Sequence, residues 1–257
     1  MSFQNRILLV VALACLICTV AAITVSTRAV SWVGEEALVD KSKSILSRLE
    51  SMRTYIATQG SLGSKIDATI KTYPDGKLPA DAKLDILRQV PIYAALKVGA
   101  FESEKDHYTF RVFSLEPRNK DNTATESEKK VFEKFSADPE LKEIIYRDSD
   151  LVTVYRPVRI SEQQGCLHCH GDPANSPWKN GKDVLGYQME NWKDGNLHGI
   201  FAIISDKKEL KTVVASATTN IAIRLKAASH QIYQTIAIPK TRLKPAKMIP
   251  APVLLGI

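Results

Sequence analysis

Apolar residues recur along this chain in three different rhythms, and each rhythm predicts an element. Ile7 to Val25 is an apolar run without a charge, preceded by Arg6. It is longer than the roughly 7–15 residues of a signal-peptide core and close to the roughly 20 of a bilayer-crossing helix. Beyond it Leu38, Ile45, Leu49, Met52 and Ile56 recur at steps of seven, four, three and four, which is one face of a helix. Lys41, Lys43, Arg48 and Arg53 take the other positions, so they are expected to face water. This helix should end near Gly60 and Gly63.

Shorter helical stretches follow at Lys65 to Thr72, stopped by Pro74-Asp75-Gly76, at Asp85 to Gln89, and as an apolar turn from Pro91 through Tyr93, Leu96 and Val98. The period then changes to two. Tyr108, Phe110, Val112 and Ser114 alternate with Thr109, Arg111 and Phe113, a strand with one face buried. Thr125 with Glu128 forms a capping box that opens a helix from Glu126 to Phe135, and Asp138-Pro139 is expected to start another short helix to Ile145. Leu151 to Ile160 and His198 to Ser205 read as further strands. Between them Gly171 to Asn196 is a long irregular segment, of a length that compact domains keep for function.

After Asp206 a second long helix carries its stripe on Leu210, Val214, Ala217, Ile221, Leu225, Ala228 and Ile232. The two stripes match in character, so the helices are expected to pack on each other or across a homodimer. Pro239, Pro245, Pro250 and Pro252 forbid a continuous helix beyond it, and Met248 to Ile257 is apolar but too short to span a bilayer. The chain divides as a membrane segment over 1–28, a domain with flanking helices over 29–235, and a proline-rich tail over 236–257.

Composition changes little in this picture. At 257 residues the chain suits one sizeable domain with appendages, and its net charge of +7 comes from scattered lysines and arginines. That pattern gives a solvated surface rather than a nucleic-acid footprint. Cys15 and Cys18 lie in the apolar run, and Cys166 and Cys169 form the other pair, so no cysteine is left for a structural disulfide. The reading is a single-pass anchor with the body on the periplasmic side of a bacterial inner membrane. The alternative is cleavage near Val20-Ala21-Ala22, leaving a soluble periplasmic protein.

The chemistry is concentrated in Cys166-Leu167-His168-Cys169-His170. A Cys-x-x-Cys-His run is the attachment site of a c-type haem. Residues three apart on one helical turn share a face, so both thiols can reach the two vinyl groups of one porphyrin. His170 is then placed as the first axial ligand of the iron. A redox dithiol would need a thioredoxin-like context, and a zinc site would need a second ligand pair; neither accompanies this run. His168 points off the iron face. Met52 and Met189 are candidates for a sixth ligand, with His107, His198 and His230 weaker. Arg111 and Arg118 are candidates either for pairing with haem propionates or for fixing a loop.

Several blocks resemble a family of periplasmic monohaem c-type domains with a PAS-like fold, found in bacterial chemoreceptors, histidine kinases and stand-alone cytochromes. They are Val90-Pro91, Phe110-Arg111-Val112, Pro117-Arg118-Asn119 with Asn122, Tyr155-Arg156-Pro157 and Cys166-Leu167-His168-Cys169-His170-Gly171, and the resemblance covers about Lys41 to Lys211. It implies an α+β architecture, a PAS-like antiparallel sheet flanked by long N- and C-terminal helices and preceded here by the transmembrane helix. It also implies that a sixth ligand, where present, comes from the long N-terminal helix as cysteine or methionine, or that the position is open or taken by water. That helix has no cysteine beyond the apolar run, so Met52 is the remaining candidate. The implied function is a membrane-anchored monohaem cytochrome in electron transfer or redox sensing, with an unidentified redox or signalling partner. The alternative is an input module that senses a small ligand. No acid–base pair for oxygen–oxygen cleavage accompanies the motif, so the chain does not read as an enzyme.

Overall fold

The computed structural model describes residues 3–236 apart from Glu102. The proline-rich tail expected from 236 onward lies, from 237, outside the described residues, as does the side chain of Ile232.

Alternation builds the centre of the domain. Strands β1 (Tyr108–Phe113), β2 (Ile144–Arg147), β3 (Leu151–Arg159) and β4 (Leu197–Asp206) form one antiparallel sheet in the order β1-β4-β3-β2. Successive side chains of a strand point to opposite faces. On β4, Phe201 and Ile203 therefore pack with Val152 and Val154 on one face, while Ile200 and Ala202 pack with Phe113 on the other. Both faces are covered, which is why β4 reads as an apolar run rather than an alternation. Register places Ile203 between Phe110 and Val154, and a bulge between Val158 and Arg159 ends the regular pairing just before the cysteine motif.

Two helices cover the sheet. Helix α1 (Phe3–Thr58) lays Val39, Leu46 and Leu49 on the Phe201 face. Three shorter helices follow it: α2 (Ser61–Thr72), α3 (Ala80–Leu87) and α4 (Pro91–Ala100). Helix α5 (Glu126–Ala137) lays Val131, Phe132 and Phe135 on the opposite face. Its start is the expected capping box: Thr125 accepts from the Glu128 amide, and the Glu128 side chain accepts from the Thr125 amide. Such a cap stabilises by about 0.5–2 kcal/mol. A one-turn helix α6 (Leu167–His170) carries the cysteine motif, and α7 (Lys208–Ile236) leaves β4, with Leu210 against Gly34 of α1.

Two expectations are corrected. The helix from Asp138 to Ile145 does not form: Ile144 and Ile145 instead belong to β2, paired with Tyr155 and Val154. Their β-branched side chains suit an edge strand, and Pro139 serves the end of α5, where Arg159 donates to the carbonyls of Phe135 and Pro139. The second correction concerns α1. Its buried residues are Val39, Ser42, Leu46, Leu49 and Arg53, so Arg53 lies on the inward face and not in water. Leu38, Ile45 and Met52 flank that line as half-buried neighbours.

The described residues fall into two compact units, one of residues 25–214 and one of those on either side. The second holds the start of α1, long and apolar enough to cross a membrane, with none of that stretch buried.

Candidate functional site

The cysteine motif is one tight turn. The His170 amide donates to the Cys166 carbonyl at 2.9 Å and the Gly171 amide to that of Leu167 at 3.0 Å. Gly165 enters the turn with φ +73°, where a side chain is strained. Gly171 leaves it so close to the Leu167 carbonyl oxygen that a Cβ would sit 2.5 Å away. A bulkier residue would push the turn open. Cys166 and Cys169 are both free thiols, and both line the same cleft together with His170. Burial, with the Asp183 carboxylate behind it, pushes the Cys169 thiol up to about 12. A thiol held protonated is ill suited to thiolate chemistry, whether disulfide exchange or zinc binding.

His170 is oriented from behind. Its Nδ1 lies 2.9 Å from Glu190, which fixes the ring and leaves Nε2 as the other ring nitrogen. Glu190 is in turn held by Arg118, through Nε at 2.7 Å and Nη2 at 2.9 Å. Burial raises the Glu190 carboxyl, but hydrogen bonds from His170 and Arg118 outweigh it and bring it down to about 2. Arg118 also donates to the fully buried Asp183 at 2.6 Å and to the Cys169 carbonyl at 2.9 Å. Arg118 thus ties the long segment after the motif to the motif itself. That segment is threaded close: the amides of Trp192 and Asn191 donate to the carbonyls of His170 and Gly171.

The cleft has a volume of about 740 Å³, inside the roughly 300–1,000 Å³ typical of cofactor sites. Its walls are largely apolar, with Ile92 and Leu96 from α4, Val112 from β1 and Val158 from β3. Among the described residues the charged ones that line it are Arg53, Lys97, Arg118 and Arg159, with no carboxylate. Among the described residues, three buried side-chain atoms have no hydrogen-bond partner: Arg53 Nε, Gln164 Oε1 and His198 Nδ1. All three residues line this cleft. His198 stands 4.7 Å from the His170 ring and 4.9 Å from Trp192, centroid to centroid. Burial first, then the nearby His170, lowers His198 to about 4, so it is a neutral imidazole at physiological pH.

The sequence-selected residues are only partly brought together. Cys166, Cys169, His170 and Arg118 meet at the cleft. Arg111 does not line it: its guanidinium is forked onto Glu128 at 2.5 and 3.0 Å and bonds the Thr123 carbonyl, fixing a loop to α5. Arg118 likewise fixes a loop, through Glu190, Asp183 and the Cys169 carbonyl, and it lines the cleft as well. Met52 packs against the sheet core, and Met189 is buried; neither lines the cleft. His107 is exposed near Glu209, and His168 is exposed beside Gly63. Among the described residues no three His, Cys, Asp or Glu side chains form a metal cluster. Arg53, Glu190 and His198 are the site residues the sequence underrated. Only Arg53 had a signal, its place at the seventh position from Leu46 on the buried line.

An antiparallel sheet covered by α1 and α5, with a Cys-x-x-Cys-His turn opening on a cofactor-sized cleft, defines an α+β domain of the PAS-like class. The chain belongs to the Tll0287-like family, whose model matches residues 33–205. This bears out the resemblance carried by the arginine–asparagine blocks and the cysteine motif. The crystal structure of the cyanobacterial haem protein Tll0287 is similar in fold: 17% identical, covering 67% of this chain and 96% of that one, with a TM-score of 0.47. No curated protein matches the chain.

Proposed function

We propose that this chain is a membrane-anchored monohaem c-type cytochrome whose domain lies on the periplasmic side of a bacterial inner membrane and acts in electron transfer or redox sensing. The observation that carries it is the convergence of the orphaned buried polar atoms of Arg53, Gln164 and His198 on one cleft that Cys166, Cys169 and His170 also line. A buried polar group without a partner costs stability, so three at one place argue for a missing occupant. The donor set fits a haem. Cys166 and Cys169 would attach it through thioethers, and His170, oriented by Glu190, would supply the proximal nitrogen. Among the described residues Lys97 and Arg159 line the cleft without a carboxylate partner, which makes them better candidates for the haem carboxylates than Arg111 and Arg118.

Haem iron, when bound, supplies one-electron chemistry or a coordination site, and the protein tunes it through ligands, burial and charge. Here His170 and Glu190 set ligand basicity, the apolar walls of α4 and β1 exclude water, and Arg118 keeps the turn closed. The long N-terminal helix supports anchoring, by length and composition. Its match in character with α7 supports a homodimer. The family's haem character favours a non-enzymatic role.

One observation favours the ligand-sensing reading as second: among the described residues no methionine lines the cleft, and Met52 and Met189 pack elsewhere. Absorption spectra of the ferrous holoprotein, with and without carbon monoxide, test the proposal. A c-type spectrum supports it, and immediate carbon monoxide binding assigns an open sixth position. Absence of any haem spectrum from a cytochrome-maturing host would overturn it.

A further inference from the structure

Arg53 is the least explained residue of the cleft. It is 7% exposed, and its buried Nε has no hydrogen-bond partner among the described residues. Its guanidinium rests over the Phe201 ring, 5.9 Å from the centroid, which pins it on the sheet face. Burial lowers its pKa, with Cys166 and Glu50 as the charges that act against this. Glu50, one turn back, is already engaged by Arg156 at 3.1 Å. A desolvated cation in such a position is stable only with a counter-charge.

On the haem reading the two haem carboxylates go to Lys97 and Arg159, which leaves Arg53, the most buried cation of the cleft, without a counter-charge. Arg118 faces two carboxylates, Glu190 and Asp183, which leaves one negative charge to set against the three positive charges of Arg53, Lys97 and Arg159. A ferric haem with two ionised carboxylates carries one net negative charge, and a ferrous one carries two. One positive charge is therefore left over in the ferric state and none in the ferrous, and Arg53 is the most buried of the cations.

Resting on the haem reading above, we propose that the cleft takes up a small external monovalent anion beside Arg53, where the bound haem would leave a coordination position for it, and that Arg53 selects anions over neutral ligands there. Uptake favours the ferric state, because that state carries the larger excess of positive charge. By linkage the anion lowers the reduction potential, and reduction releases the anion. The device couples the redox state of the domain to the anion content of its surroundings.

The test uses the ferric holoprotein, with covalent haem verified by intact mass for every variant before titration. Azide is the anionic probe and imidazole at pH 8 the neutral one, both followed by absorbance at constant ionic strength. Arg53→Met is expected to weaken azide by at least about tenfold, the loss of a hydrogen bond to a charged group. Arg53→Lys should recover most of it, and imidazole should stay within about twofold throughout. Arg53→Gln is read in place of Arg53→Met if the latter does not fold. In the wild type alone, azide should lower the reduction potential. The proposal is overturned if azide binds the uncharged variant within about twofold of wild type, if the ferric wild type takes up no azide, or if azide leaves the potential unchanged. A preparation without haem would instead refute the functional reading, and the mass measurement separates that case.

Discussion

Arg118→Ala should be one of the most damaging single changes in the domain, and the reason is Asp183. Arg118 donates to Glu190 twice, to Asp183 once, and to the carbonyls of Cys169 and Gln188. The Asp183 side chain is 0% exposed. Its Oδ1 already accepts the amides of Leu185 and Tyr187, so deletion of the guanidinium strands Oδ2 without a cation. Removing one partner of a buried pair costs roughly 3–5 kcal/mol. The part owed to Glu190, which is 31% exposed, is smaller, at about 0–1 kcal/mol. Arg118→Lys restores the charge without the fork and should leave a deficit of roughly 1.5–3 kcal/mol. In an Asp183→Asn background Arg118→Ala should cost less than in the wild type, because no buried charge is then abandoned. Denaturant unfolding of the full-length protein in detergent, followed by circular dichroism, measures all four corners of this cycle. A loss below about 1 kcal/mol for Arg118→Ala, or strict additivity with Asp183→Asn, would refute the reasoning.

Two other changes test the supports of the domain and of its site. The Glu128 carboxyl is raised by burial but lowered further by Arg111 and the Thr125 amide, so its pKa in the folded protein lies below the ordinary 4.5. A depressed carboxyl contributes stability above 4.5 that disappears as pH falls through the folded value. Glu128→Gln should therefore cost about 1.5–3 kcal/mol at pH 7, with the gap to wild type closing below pH 4.5; a gap constant from pH 7 to 3 contradicts this. Glu190→Gln removes the carboxylate behind His170, makes that ligand less basic and should raise the reduction potential of the holoprotein; spectroelectrochemistry showing no shift, or a fall, argues against the assigned orientation.

Much of the fold is visible in the chain because it rests on local rules. Period-two alternation marks β1 and β3, the apolar run marks β4, and Thr125 with Glu128 marks the start of α5. The Cys-x-x-Cys-His spacing is local too. What local rules miss is decided by contacts far apart in sequence. Ile144 and Ile145 become a strand only because β3 offers an edge, so an Asp-Pro start misleads there. The buried line of α1 contains Ser42 and Arg53, and a hydropathy pattern passes over both. Ser42 is buried against Ser205, and Arg53 faces the cleft. Glu190 is 20 residues beyond His170 in a segment without periodicity, so nothing short of the folded chain brings the two together. Arg111 and Arg118 stand out in sequence as candidates for anion pairing, yet each already has carboxylate partners in the fold.

Intact-mass measurement of the protein from a cytochrome-maturing host, combined with alkylation and peptide mapping, bears most directly on the central claim. The account requires a single haem added to the chain, with the peptide of Cys166 and Cys169 carrying it and neither sulfur open to alkylation. A chain of unmodified mass, with both thiols alkylated, would contradict it.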